Sequence, residues 1–245
     1  MRKSTLATTV IMAVVCTQLL LPGCKRSESP AAKTTPEQAH QKEMLTRSFE
    51  ESKKVTTMNV NGAVITEFFV LREMNAAAPQ YLASGQKRTR ELDAKIRRDA
   101  INVLITQELA VQEARRRSIA VPAAVMDDEL RRIRSQAGSE SAFKDYLVSN
   151  GLTEEELRKI IETDVLFERI ASLEIDRKID LSDAALRKRY EREKAGMQDA
   201  AHRQMSFEDA RGMLEQRLRA EASEKRLKAW EKELRKNARI EILRQ

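Results

Sequence analysis

The chain has 245 residues, of which 34% are charged and only 4% are aromatic, and it contains 7 Gly and 5 Pro. This composition favours long solvated helices and argues against a sandwich or a barrel, which need many turns. The net charge of +7 is spread along the chain, so we interpret it as a solvated mixed-charge surface rather than a nucleic-acid interface. Acidic protein partners or lipid headgroups are the alternative interpretations of this charge.

The N-terminus has the plan of a targeting segment. Arg2 and Lys3 precede an apolar run over residues 7–21, and the sequence LPGC follows at residues 21–24. A short basic region before an apolar one is typical of any secretory signal. The LPGC sequence further resembles the lipobox of a bacterial lipoprotein, in which the cysteine becomes acylated. We therefore predict that residues 1–23 are a lipoprotein signal peptide, with an ordinary secretory signal as the alternative.

Cys24 would then be the lipidation site and the membrane anchor. More than one acyl chain on a cysteine anchors a protein stably, whereas one chain alone is marginal. In the lipoprotein pattern, Lys25 is not the residue that retains a protein at the inner membrane, which favours the outer membrane. Removal of the signal takes away Cys16 and leaves Cys24 as the sole cysteine of this sequence, so no internal disulfide and no thiol metal cluster are expected.

The segment after this cysteine, residues 24–54, is polar and contains Ser, Thr and Pro. We predict that it is a flexible tether, to which the stretch from Pro36 could add a short helix. A flexible segment of about 30 residues reaches roughly 30 Å on average. Such a length is enough to lift a folded domain off a membrane.

A hairpin and a distant strand are predicted at opposite ends of the remaining chain. Residues 55–65 contain two short β-prone runs around Asn61-Gly62, a pair typical of a type I′ turn because both residues accept positive φ. Residues 238–243 alternate with period 2, which indicates a strand. Its only available partners are the strands of the hairpin. The pattern therefore predicts a small β element that joins both ends of one domain, residues 55–245.

Helical periodicity covers most of the sequence in between. It predicts helices over residues 67–77, 92–117, 121–136, 142–148, 154–177, 183–195 and 207–236. The helix at residues 92–117 is amphipathic at its ends, but its middle, residues 100–111, is apolar nearly all round. A helix of that kind is buried by neighbours on several sides. We expect it to be the core helix of an all-α domain.

Capping residues and a proline mark several helix boundaries. Thr66 is a predicted N-cap, and the spacing of Thr153 and Glu156 is that of a capping box. Residues 79–86, which begin with a proline, are predicted to form a loop before the core helix.

The sequence offers no catalytic or metal-binding constellation. His40 and His202 are its only histidines, and neither has a cysteine or a second histidine at ligand spacing. No nucleophile-elbow, phosphate-loop or zinc-protease motif is present. Acidic pairs such as Asp127-Asp128 lie at helix N-termini, where they complement the helix dipole. We therefore predict no enzyme activity, no metal, no cofactor, no nucleic acid and no small-molecule substrate.

Several short motifs occur in a fixed order along the chain. They are VNGAVIT at residues 60–66, LITQELAVQEA at 104–114, GSESAF at 138–143, NGLTEEELR at 150–158 and WEKELRKNARIEI at 230–242. In this order and spacing they resemble the N-terminal domain of the SurA/PrsA family of extracytoplasmic folding factors. The resemblance covers residues 55–196 and 206–243, and it implies a mainly helical domain with a small β element.

The resemblance is interrupted at residues 191–205. Family members carry a parvulin prolyl isomerase domain between the two matching parts, and these residues are too few to form a sheet-based isomerase pocket. The sequence around His202 resembles the start of a parvulin domain, where a histidine lies in the active site. We interpret this as coincidence, with a remnant as the alternative, and predict that the parvulin insert is absent.

The resemblance implies a membrane-anchored chaperone on the periplasmic side of the envelope that binds unfolded or nascent envelope proteins without catalysis. A family member with residual prolyl isomerase activity and a dedicated lipoprotein of a secretion or export complex are the alternatives. Apolar client segments would lie between the long helices and a smaller helical arm. The predicted client-contacting side chains, on the short arm helices, are Met126, Ile133, Phe143, Tyr146 and Leu147. The alternative is that they form the core of the arm.

Overall fold

The computed structural model describes residues 36–83, 87–198 and 203–244. Its helices are α1 (Pro36–Lys54), α2 (Glu67–Leu82), α3 (Arg90–Arg116), α4 (Ala123–Ala137), α5 (Glu140–Ser149), α6 (Glu154–Glu174), α7 (Asp183–Glu193) and α8 (Phe207–Arg235). Its strands are β1 (Thr56–Val60), β2 (Ala63–Thr66) and β3 (Ile240–Ile242). The predicted class, mainly helical with a small β element, is confirmed.

The chain divides into two compact units. The first contains the described residues up to Ile170 and those from Leu234 onward, and the second is Ala171–Glu233. The sheet, the core helix and the arm helices α4 and α5 all belong to the first unit.

The three strands form one antiparallel sheet in the order β2-β1-β3. Asn61 and Gly62 form the turn between β1 and β2 with φ values of 53° and 92°, as the sequence predicts for this pair. β3 pairs with β1 so that Met58 lies opposite Ile242. The predicted closure of the C-terminal strand onto the hairpin is therefore confirmed.

The core helix α3 packs against this sheet. Its buried side chains face more than one side, as expected for a helix that is apolar nearly all round in its middle. They join the side chains of β1, β2 and α2 in a sheet-side cluster that consists of Met58, Val60, Ile65, Val70, Ile101, Leu104, Ile105 and Leu109. Because this cluster connects residues far apart in the sequence, it fixes the hairpin and α3 in one core.

A second hydrophobic core, the arm cluster, lies beneath α4, α5 and α6. It consists of Phe68, Leu130, Ile133, Phe143, Leu147, Leu152, Leu157, Ile160 and Ile161. The predicted capping box opens α6: the Thr153 amide donates to Glu156 Oε2 at 2.8 Å, and the Glu156 amide donates to Thr153 Oγ1 at 3.1 Å. Both amides would otherwise lack a partner in the first turn of the helix.

The second half of the predicted tether, Pro36–Lys54, is the helix α1, in the place where the sequence allowed a short helix. This segment is mostly polar, but a few of its side chains hold α1 in place. Phe49 packs against the arm cluster, with its ring 6.0 Å from that of Phe68. Lys53 Nζ also donates to Glu156 Oε2 at 3.0 Å. The residues before Pro36 lie outside the described part of the chain.

The predicted end of α2, before Pro79, is wrong. The helix continues past the predicted end and through Pro79 to Leu82. A proline so close to a helix end removes few backbone bonds, and the Tyr81 hydroxyl holds the last turn against α3 by donating to Asp99 Oδ2 at 2.6 Å. Thr66 occupies the N-cap position, but its side chain makes no capping hydrogen bond.

In the second unit, α7 and α8 form a hairpin with a small core of its own. That core consists of Leu186, Met197, Phe207, Ala210 and Leu214. The ends of the connecting segment are bonded to each other: the Met205 amide donates to the Met197 carbonyl at 3.1 Å, and the Tyr190 hydroxyl donates to the Met205 carbonyl at 2.6 Å. These bonds lie at the place where the sequence resemblance is interrupted.

Candidate functional site

Within residues 36–83, 87–198 and 203–244, no group of three or more His, Cys, Asp and Glu side chains is arranged to hold a metal ion. Cys24 and His202, for which the sequence predicts lipidation and no catalytic role, lie outside these ranges. None of the helices described is both long and apolar enough to cross a bilayer.

The predicted client-contacting side chains lie around the arm cluster. Ile133, Phe143 and Leu147 are buried in it, with relative exposures of 3%, 1% and 9%. Met126 and Tyr146 pack against it and are half-buried. The structure therefore places the first three in the core of the arm, which is the alternative that the sequence left open, and leaves two of the set with accessible surface.

A cleft of about 170 Å³ opens elsewhere in the first unit, between α2, α3 and α6. Each helix presents residues three or four positions apart to it, because such residues share one face of a helix. Phe69 and Arg72 line it from α2, Leu104 and Gln107 from α3, and Ile160 and Asp164 from α6. Since Leu104 belongs to the sheet-side cluster and Ile160 to the arm cluster, the cleft lies where the two cores meet.

One end of the cleft is apolar and open to solvent. Phe69 keeps 36% of its surface exposed, whereas the neighbouring Phe68 is buried at 4%. The two rings meet edge to face with centroids 5.4 Å apart, which fixes the exposed ring on a packed one. An engineered apolar cavity of about 150 Å³ takes a benzene molecule. The cleft is therefore of the size that accommodates one large apolar side chain.

The other end of the cleft is polar. Gln107 Nε2 donates to Asp164 Oδ1 at 2.9 Å. Burial raises the pKa of Asp164 to about 6, and the neighbouring carboxylates of Glu168 and Glu73 act in the same direction. The guanidinium of Arg72 and the Gln107 amide oppose this rise in pKa without cancelling it. Asp164 is therefore a carboxylate whose charge is poorly compensated by its surroundings.

An ion pair lies next to the cleft. Lys53 of α1 bonds to Glu156, a lining residue, and its Nζ lies 5.3 Å from the centre of the Phe68 ring. Burial lowers the pKa of Lys53, but its hydrogen bonds to Glu156 and Glu50 outweigh this and leave the pKa raised. The cation is thus held by its carboxylate partners, and the ion pair connects α1 to a residue that lines the cleft.

The sequence contained a signal for this cleft that the prediction did not use. Asp164 stands in the run IIETDVLF at residues 160–167, with Ile160 and Ile161 one turn before it and Val165 beside it. An acidic residue on the apolar side of a helix is costly unless it has a partner or faces a solvated cavity. Periodicity alone treated it as one polar position in an amphipathic helix.

The chain is similar to a known protein family and to known structures. The family model described as the SurA-like N-terminal domain matches residues 43–171. Among solved structures, the chain is similar to one described with PEB4 and Cj1289, two SurA-like chaperones of Campylobacter jejuni. This similarity has a TM-score of 0.48 at 15% identity, and it covers 78% of this chain and 100% of the other. No curated protein matches the sequence.

Proposed function

Since the chain belongs to the SurA-like N-terminal domain family, we propose that it is an extracytoplasmic chaperone-like protein that binds unfolded or nascent envelope proteins without catalysis. The single observation that carries this proposal is the cleft between α2, α3 and α6, with the half-exposed Phe69 at its apolar end. An unfolded client exposes large apolar side chains, and the cleft offers space and apolar contact for one of them at a time.

The binding that such a cleft provides is weak and reversible. Full burial of one large apolar side chain contributes roughly 1.5–3 kcal/mol. A dissociation constant of about 1 μM requires about 8 kcal/mol. One cleft contact is therefore far from enough for a long-lived complex, and a client would be held through several contacts that form and break. This is the behaviour expected of a protein that prevents aggregation and then releases its client.

Two further observations favour binding over catalysis. The lining of the cleft offers amide, carboxylate, guanidinium and ammonium groups and the hydroxyl of Thr163, but it includes no histidine that could act as a general base. In the second unit, Met197 and Met205 are bonded across the segment where family members carry the isomerase domain. The proposal therefore includes no prolyl isomerase activity.

The proposed location is the periplasmic face of the envelope, with Cys24 lipidated and the outer membrane as the more favoured of the two membranes. Residues 25–35 would separate this anchor from α1. The Cys24→Ala variant should lose lipid labelling and membrane retention. A variant that is still processed and retained in the membrane fraction would contradict the lipoprotein proposal while leaving the binding function untouched.

The binding function can be tested with a matched pair of variants on α2. Phe69→Asn removes the apolar wall of the cleft, whereas Leu71→Asn removes a similarly exposed side chain (41%) of the same helix that does not line the cleft. We expect Phe69→Asn to suppress the aggregation of chemically unfolded clients several-fold less well than the wild type, because about 1.5–3 kcal/mol of apolar contact is lost. Leu71→Asn should behave as the wild type.

Several unrelated clients should be used, with light scattering as the measurement. Equal suppression by both variants and the wild type would exclude the cleft as the binding site. No suppression by the wild-type chain with any client would contradict the proposed function itself.

A further inference from the structure

The polar end of the cleft shows which kind of client segment fits best. Its carboxylates are Asp164 and Glu73, which line it, and Glu168, which lies close enough to raise the pKa of Asp164. The cations of the lining are Arg72 and Lys159, and Lys159 is paired with Glu155 at 2.7 Å. Asp164 is half-buried, and its raised pKa means that its ionised form is disfavoured, a cost that an incoming cation would reduce.

Asp164 also retains capacity to accept hydrogen bonds. Among the residues that the structure describes, the hydrogen bond to its carboxylate is the one from Gln107 to Oδ1. An ionised carboxylate has about four lone-pair sites. A donor that enters the cleft can therefore bind Asp164 without displacing Gln107, and a charged donor gains the most because it also compensates the negative charge.

The spacing of the two ends matches an extended peptide. Ile160 and Asp164 are one turn apart on α6, which corresponds to about 6 Å along the helix axis. In an extended chain, side chains at positions i and i+2 point to the same side and are about 6.6–6.8 Å apart. An apolar side chain at the first position and a second side chain two residues away can thus reach both ends at once.

We propose that the cleft selects client segments in which a large apolar side chain is separated by one residue from a lysine or arginine. The apolar side chain lies against Phe69 and Ile160, and the cation binds Asp164. This inference rests on the proposed function, because it specifies the client chemistry of the same cleft. It assigns to Asp164 a direct role in client recognition.

Three capped peptides of the form acetyl-Gly-Phe-Ala-X-Gly-amide test this proposal, where X is lysine, glutamine or glutamate. Affinities can be measured by NMR titration of the isotopically labelled full chain, which suits weak binding and reports the Gln107 side-chain amide directly. We expect the lysine peptide to bind at least about tenfold more tightly than the glutamate peptide, with glutamine in between, since a hydrogen bond between two charged groups is stronger than one with a neutral donor.

Variants assign this preference to the site. Asp164→Asn should bind all three peptides with similar affinity, whereas Glu162→Gln, which removes an exposed charge from the same helix, should keep the preference for lysine. Arg72→Gln should strengthen the preference, because it removes the cation that competes with the lysine. The Arg72→Gln variant tests the proposal through a gain in selectivity, which a folding defect would not produce.

The outcomes separate the inference from the proposed function. Equal binding of the three peptides by the wild type overturns the selectivity and leaves the chaperone function standing. A preference for lysine that persists in Asp164→Asn overturns the assignment to this carboxylate. Absence of binding by any of the peptides, together with failure to suppress aggregation, overturns both.

Discussion

The contact between Gly151 and Phe49 gives a sharp test of how α1 is held. Gly151 follows α5 in the left-handed region, with φ of 62°. A Cβ atom built there would lie 2.6 Å from Phe49 Cδ2 and 2.7 Å from Phe49 Cβ. Because Phe49 Cβ is bonded to the backbone Cα, it cannot move away without shifting the α1 backbone. Gly151→Ala should therefore displace α1 as well as strain the backbone.

The magnitude follows from two separate costs. An alanine in the left-handed region costs roughly 1–2 kcal/mol, and overpacking costs roughly 1–3 kcal/mol. Gly138→Ala is the matched control: Gly138 has φ of 83°, and no atom of the described neighbours lies within 4 Å of a Cβ built there. It should bear only the backbone cost. We expect Gly151→Ala to lower the free energy of unfolding by about 1–3 kcal/mol more than Gly138→Ala.

Urea unfolding followed by circular dichroism measures both differences, and limited proteolysis within α1 reports its displacement. In the double variant Phe49→Ala/Gly151→Ala, the added methyl group has space, so the two effects should be less than additive. Equal destabilisation by Gly151→Ala and Gly138→Ala, without faster cleavage of α1, would show that α1 does not pack on the arm.

Three further predictions concern stability. Thr153→Ala should cost about 1 kcal/mol because it removes the side-chain cap of α6, whereas Thr66→Ala should cost far less because Thr66 makes no capping bond; urea midpoints compare them. Ile105→Ala in α3, where Ile105 is 1% exposed, should lower the free energy of unfolding by about 2–5 kcal/mol. Burial raises the pKa of Asp164 from 3.8 to about 6. The protonated form therefore stabilises the fold below about pH 4. This stabilisation, at most about 3 kcal/mol, is lost as the pH rises through 6. Asp164→Asn should thus be more stable than the wild type at pH 7, and the difference should vanish below about pH 4 in a pH series of urea titrations; a constant difference would contradict the burial of this carboxylate.

The sheet and the core helix were predictable from the sequence because their signals are local. Asn61-Gly62 specifies its turn through backbone conformation alone, and the alternation at residues 238–243 leaves a strand that needs a partner. Residues 100–111 form a helical segment that is apolar on nearly every side, so it must be buried on several sides, whichever elements surround it. In each case, the residues themselves determine the structure, and tertiary contacts only complete it.

The packing of α1 and the cleft were not predictable in this way. A single aromatic side chain, Phe49, attaches the otherwise polar helix α1 to the arm cluster. Its partner Phe68 lies in α2, too far along the chain for a local sequence pattern to indicate the contact. The cleft depends on three helices whose relative positions no periodicity gives. The same limit leaves two interpretations of Ile133, Phe143 and Leu147 open in the sequence: an apolar face predicts burial, but it does not say whether a client or the arm itself provides it.

The charge of Asp164 is expected to lower the stability of the fold and to favour the binding of cationic peptides. An ionised carboxylate in poorly hydrated surroundings destabilises the fold, and a proton or an incoming cation relieves that cost. Asp164→Asn should therefore raise the free energy of unfolding at pH 7 while it removes the preference for lysine peptides. A purely structural residue would lose stability on substitution, and an incidental surface residue would change neither property. A gain in stability accompanied by a loss of selectivity is the pattern expected of a residue whose charge serves binding at a cost to the fold.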